Sequence, residues 1–243
     1  MEWAAKTSVI GAGSLRCGAA VLAGIFNCPW PTDSHLELCD IHPEALDLFE
    51  RLARCFAGDT NAALSISPQD DLSEAIEGAT TLVLCFGLGD ELRERWHDWL
   101  REAGVEDLLG RTASLSRAVL LNPTFEAVNE QIHRLREGAT IINMVRPISV
   151  TAMLLASPAI HLDWPAAIPS DRRVPTAHRI LRLVRGDEYT NVELHREAAN
   201  PLAQALTQIS PKMNNRFNAK AMAGWLRELE RDAPNLTTRL LRP

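Results

Sequence analysis

The sequence predicts an α/β protein: a doubly wound, mostly parallel sheet followed by a small, mainly helical C-terminal extension. Three observations carry that expectation. Short apolar runs alternate with helical patterns through the first part of the chain, as βαβ units require. The stretch from Ser8 to Ile25, SVIGAGSLRCGAAVLAGI, reads as strand, glycine turn and helix. Beyond Pro158 strand signals fade and helical patterns take over. With 243 residues, the chain can bury one core and carry a small appendage. The change of character divides it into 1–157, a dinucleotide-binding domain, and 158–243, a small helical region.

The elements follow in order. TSVIG (7–11) is the first strand, and its helix runs from about Ser14 to Asn27. HLELCD (35–40) is the second strand. HPEALDLFERLARCFAG is a helix with Pro43 in its first turn and Gly58 as a stop. ALSIS (63–67) is a weaker strand, DLSEAIEGA a short helix stopping at Gly78, and TTLVLCFG (80–87) a continuously apolar, buried strand. DELRERWHDWLREA (90–103) is a helix with Leu92, Trp96 and Trp99 on one face, a packing stripe. A Gly/Ser/Thr-bearing connection leads to PTFEAVNEQIHRLREGA, read as a helix opening at Pro123, and then to the strand TIINMV (140–145). Pro147 opens ISVTAMLLA, and AIHLDW (159–164) is one more strand. After the irregular PAAIPSDRRVP come three helical patterns, TAHRILRLVRG, NPLAQALTQI and NAKAMAGWLRELERD. Right-handed crossovers stack the alternation into a doubly wound sheet. The apolar faces bearing Leu181, Val184, Trp225 and Leu229 suit a homodimer surface or core packing equally.

A net charge of -6 provides no basic footprint for nucleic acid. No apolar run reaches membrane-spanning length and MEWAAKTSVIG has no leader pattern, so no membrane partner and a cytoplasmic location are expected. The five cysteines lie in the first half without a C-x-x-C, which predicts buried free thiols. His35, His42, His97, His133 and His195 fall on expected surface faces or strand ends and receive no role. Ser-His-Asp spacing, a G-x-S-x-G elbow, a P-loop and a zinc motif are all absent, leaving nucleophilic hydrolysis and NTP use unsupported.

Gly11 and Gly13 occupy the first two positions of G-x-G-x-x-G, with Ser14 and Leu15 opening the helix. The first glycine allows the tight turn, and the second lets backbone approach a pyrophosphate held at the helix N-terminus. Arg16 stands at the third position, and Gly18 can restore the helix-on-strand packing that a third glycine serves. Asp40 closes the second strand. There it can accept hydrogen bonds from ribose hydroxyls and repel a 2′-phosphate, favouring NAD over NADP, or it can simply cap the next helix.

Taken in order, these motifs resemble glycoside hydrolase family 4, the NAD- and metal-dependent glycosidases of the lactate/malate dehydrogenase superfamily. In that family the first turn reads like G-x-G-S, similar to Gly11-Ala12-Gly13-Ser14, so Arg16 is no anomaly. LELCDIHPEALD, DDLSEAIEGATTLVL and the stretch from Arg117 to Leu155 extend the resemblance over roughly 7–165. It implies a Rossmann-like domain and chemistry that begins with hydride removal from a sugar carbon by NAD. The family's Asn-Pro turn appears as Arg146-Pro147, with Asn143 three residues earlier. Its metal-binding Cys-His pair corresponds to Asp163-Trp164, and tryptophan cannot ligate a metal. His161 shares a strand face with Asp163, so a rebuilt divalent-metal site is the alternative to having none.

From the residues themselves, Arg146 is a candidate clamp for a carboxylate or phosphate, or a surface arginine on a loop. Arg117 can share that role, although packing explains it as well. His178 is the candidate acid/base, beside Arg172 and Arg173, and His161 with Asp163 forms the competing pair. The expected cofactor contacts are Gly11, Gly13, Ser14, Leu15, Asp40 and Asn143. The leading expectation is an NAD(P)-dependent oxidoreductase for a small polar, anionic hydroxy compound or sugar derivative. A minimal NAD- and metal-dependent glycosidase and a non-catalytic NAD-binding scaffold are the alternatives.

Overall fold

The computed structural model describes residues 5–14, 17–26, 32–60, 64–161 and 219–240. Among them, one compact unit holds those up to Phe86 with 131–144 and 160–161. A second unit holds 87–130, 145–159 and 219–240.

The first unit is built on six strands: β1 (Lys6–Ile10), β2 (Ser34–Cys39), β3 (Leu64–Gln69), β4 (Thr81–Leu84), β5 (Thr140–Asn143) and β6 (Ile160–His161). They lie in the order β3-β2-β1-β4-β5-β6, and every pair is parallel. The order reverses between β1 and β4, the switch point beside which doubly wound sheets bind ligands. The helices α1 (Gly18–Phe26) and α2 (Pro43–Thr60) cover one face. There Val9, Leu36, Leu38 and Ile66 meet Leu22, Phe26, Phe49 and Phe56 in a closed apolar core. The Phe26 and Phe56 rings sit 5.8 Å apart, within the range of a tilted aromatic pair. Helix α2 runs through Gly58 to Thr60, past its expected stop.

The opposite face of β1 and β2 is polar yet buried: Lys6, Ser8, His35 and Glu37 are each under a tenth exposed. Such groups must be satisfied internally, and α3 (Leu72–Ile76) does part of this. Its backbone accepts from Ser8 Oγ at Ala75 O (2.5 Å) and from Lys6 Nζ at Glu74 O (3.0 Å), and the following Glu77 O accepts at 2.9 Å. Asp71 caps the start of α3, accepting from Ser73 N and Glu74 N. Of the two placements expected for His35, a surface face or a strand end, it takes the second, near the start of β2, and is buried between polar neighbours.

The second unit is helical. It contains α4 (Asp90–Glu102), α5 (Arg111–Gln131, whose last residue falls in the first unit), α6 (Ile148–Thr151), α7 (Ala219–Asp232) and α8 (Pro234–Leu240). Helix α5 begins at Arg111, and Pro123 lies inside it. The expected connection before Pro123 is thus helix. Ala113, Leu115, Ser116, Ala118 and Leu121 form its buried stripe, and burial outweighs the turn-like Ser and Thr content. Trp96 Nε1 donates to Ser116 Oγ at 2.8 Å, joining α4 to α5. Arg111 pairs with Glu228 of α7, and Arg239 of α8 with Glu102 of α4.

Cys39 and Cys85 are buried, Cys17 is half-buried and Cys55 exposed, all as free thiols. Among the described residues no helix is long and apolar enough to cross a membrane. The helical patterns expected at 176–186 and 200–209 lie outside the described residues.

Candidate functional site

The turn between β1 and α1 is shaped by the chain's own packing. Gly11 has φ +85°, and a Cβ there would overlap the Phe86 backbone. A Cβ on Gly13 would come within 2.7 Å of Ala45 Cβ and 2.9 Å of Asp40 Oδ2. One on Gly18 would run into the Ala12 carbonyl oxygen and reach 3.2 Å from Phe49 Cε1. Gly18 thus performs the close helix-on-turn packing expected of a third glycine.

Asp40 organises this turn. Its Oδ2 accepts from Gly13 N at 2.9 Å, and its Oδ1 accepts from His42 N at 3.0 Å. Each carboxylate oxygen thus accepts one of these backbone bonds and has capacity for a second. The remaining donors of the turn are used internally. Gly11 N and Ala12 N donate to Cys39 O (2.8 and 3.1 Å), and Ser14 N donates to Gly11 O (3.1 Å). Ser14 Oγ accepts from Cys17 N at 3.3 Å. The turn is preformed, and a phosphate must find its backbone donors beyond Ser14. Leu15, the next residue, lies outside the described residues.

Two buried thiols adjoin the turn. Burial, followed by the charges of Asp40 and Glu37, pushes Cys39 up to about 12. Burial likewise raises Cys85, whose Sγ donates to Gly11 O at 3.3 Å. Ile41, immediately after Asp40, is 83% exposed, an apolar surface at the carboxyl end of β2. Sequence reasoning passed over it, although an apolar residue directly after the strand-closing acid was the available signal.

The other expected site residues are distributed as follows. Asn143 ends β5, fully buried, opposite Leu84 of β4 and His161 of β6. Arg146 belongs to the second unit, half-buried, and its peptide bond to Pro147 is cis. Arg117 is also half-buried, its guanidinium 5.9 Å from the centre of the Trp96 ring. His178 and Asp163 lie outside the described residues. Among the described residues no three His, Cys, Asp or Glu side chains gather into a metal site.

Comparison with known proteins places this geometry in a lineage. The chain is 25% identical over 151 residues to an alpha-glucosidase of Erwinia rhapontici, an alignment covering 60% of this chain and 33% of that protein. The fold resembles a 6-phospho-alpha-glucosidase from gut microorganisms solved with NAD and Mn2+. The TM-score is 0.57 at 17% identity, covering 68% of this chain and 39% of the other. It also resembles the 6-phospho-beta-glucosidase of Thermotoga maritima solved with manganese, NAD+ and glucose-6-phosphate. There the TM-score is 0.51 at 18% identity, covering 59% of this chain and 35% of the other. The chain thus spans about a third of the length of the relative it matches in sequence. The family model for family 4 glycosyl hydrolases matches residues 6–161, more than half the chain, and the chain belongs to that family.

Proposed function

We propose that this chain holds NAD as part of a glycosidase of the family 4 type, rather than serving as a free-standing dehydrogenase for a hydroxy acid. Residues 1–157 would be the dinucleotide-binding part and 158–243 its C-terminal region. The observation that carries the reading is the Asp40 carboxylate at the end of β2, fixed by Gly13 N and His42 N with lone pairs left over.

The residues present fit the adenosine half of the cofactor. Asp40 would accept from the ribose hydroxyls, and its charge would disfavour a 2′-phosphate and so NADP. Ile41 would offer its exposed side chain to the adenine ring. Gly11, Gly13 and Ser14 would let the backbone come close, and Leu15 would supply a backbone donor to the pyrophosphate. Asn143 would contact the nicotinamide end. Bound NAD would accept a hydride from a sugar carbon.

Two of the solved structures that the fold resembles are named 6-phospho-glucosidases, one of them holding glucose-6-phosphate, and Arg146 is the residue we assign to such a phosphate, since guanidinium matches that oxyanion bidentately. His178 would exchange the proton. Asp163, with His161, would hold a divalent metal if one is used.

The test is a titration with NADH followed by energy transfer from tryptophan, with Asp40→Ala as control. Saturable binding, weakened at least about tenfold in the control by loss of the ribose contacts, supports the reading. A folded chain that binds no NADH removes it.

A further inference from the structure

The polar face of the sheet carries chemistry that the glycine turn does not use. Strand register sets Lys6, His35 and Ser65 side by side, with Ser8, Glu37 and Ser67 two residues further along. Lys6, His35 and Glu37 are buried, while Ser65 on the edge strand β3 is open to solvent.

The hydrogen bonds assign the imidazole tautomer. Ser67 Oγ donates its one proton to Glu37 Oε1 at 2.7 Å. Towards His35 Nε2, at 2.9 Å, the same hydroxyl can therefore only accept. Nε2 must then carry hydrogen, shared with Glu37 Oε2 at 3.2 Å. Lys6 Nζ, 3.3 Å from that oxygen, adds its charge. Burial raises the Glu37 carboxyl, but the bonds from His35 and Ser67 and the Lys6 charge outweigh it and hold the group below its ordinary range. With hydrogen on Nε2, the neutral form of such a ring presents a lone pair at Nδ1. Ser65 Oγ lies 2.7 Å from Nδ1, closer than its other acceptor, Ser34 O, at 3.3 Å. Ser65 adjoins His35 across the two strands, and Glu37 follows His35 two residues along β2, so the imidazole touches both.

We propose that Ser65 is a nucleophilic serine, activated by His35 with Glu37 behind it, that accepts acyl groups from small activated esters. Ser65 Oγ bonds to the ester carbonyl carbon while its proton passes to His35 Nδ1. The carbon–oxygen bond to the leaving group breaks, and His35 returns the proton to the departing oxygen. The products are acyl-Ser65 and a free alcohol or phenol, with no change in oxidation state. Glu37 faces the imidazolium formed in between.

The experiment treats the whole chain with p-nitrophenyl acetate and, separately, with a fluorophosphonate. It reads the adduct by intact mass and peptide mapping. One adduct, on Ser65, is expected, absent in Ser65→Ala and formed at least about tenfold more slowly in His35→Gln. No adduct, an adduct on another residue, or an unchanged rate in a folded His35→Gln chain overturns the proposal. Nitrogen NMR of the imidazole in the unmodified chain is a second reading that needs no variant. Hydrogen on Nε2 is expected, and hydrogen on Nδ1 overturns the assignment.

Discussion

Gly13 is a glycine because of Asp40 and Ala45, whatever ligand the turn receives. A side chain there would meet both within 3 Å. Gly13→Val should therefore lower stability by about 1–3 kcal/mol without any nucleotide present, which thermal denaturation would show. The buried Lys6–Glu37 pair makes a sharper case. Lys6 Nζ donates to Glu74 O and Glu77 O and lies 3.3 Å from Glu37 Oε2. Lys6→Met leaves the buried carboxylate with only its His35 and Ser67 partners and should cost about 3 kcal/mol in urea unfolding, the low end for a broken buried pair. Glu37 also sets a pH dependence. Its carboxyl is held below the ordinary 4.5, so its contribution is complete above that value and lost as pH falls through the lower folded value. The urea midpoint should drop as pH falls below 4.5, and Glu37→Gln should flatten that drop.

Among the elements, legibility followed periodicity. α2 and α4 stood out because their apolar spacing agrees with the face each one buries, whereas β1 and β2, buried on both faces, stood out through the glycine turn and the acid that follow them. The start of α3 has a local cause: Asp71 caps it, three residues ahead of Glu74. β3 was weaker because an edge strand needs apolar residues on one face only and tolerates Pro68. The first half of α5 was read as a loop because RTASLSR is rich in loop-forming residues. Only the neighbouring α4 makes Ser116 a helical core position. Trp96→Phe removes the indole donor to that buried hydroxyl and should cost about 1–2 kcal/mol, read in a denaturant midpoint.

At the scale of the molecule, the strand order β3-β2-β1-β4-β5-β6 brings the Gly11 turn, Asp40 and the end of β4 together at the switch point. Because that turn is already closed by its own hydrogen bonds, nucleotide binding should stabilise the folded chain without having to build the site. NADH at roughly a hundred times its dissociation constant should add about 2.7 kcal/mol, and NADPH at the same concentration distinctly less. Thermal shift in the two nucleotides compares them directly; equal shifts would remove the selectivity assigned to Asp40.

By itself the sequence determined the parallel α/β architecture, the glycine turn and the acid that closes β2. Each rests on a local signal: an apolar period, a backbone requirement or a strand end. Its family was legible for the same reason, since the motif order survives in one dimension. Tertiary structure alone decided that Asp40 clasps Gly13 across 27 positions, that Gly18 meets the Ala12 carbonyl, and that His35 stands between Ser65 and Glu37. Ser65 and His35 are thirty residues apart in the chain and neighbours only in the sheet. Strand pairing, which no spacing rule contains, is what turns three ordinary polar residues into a relay.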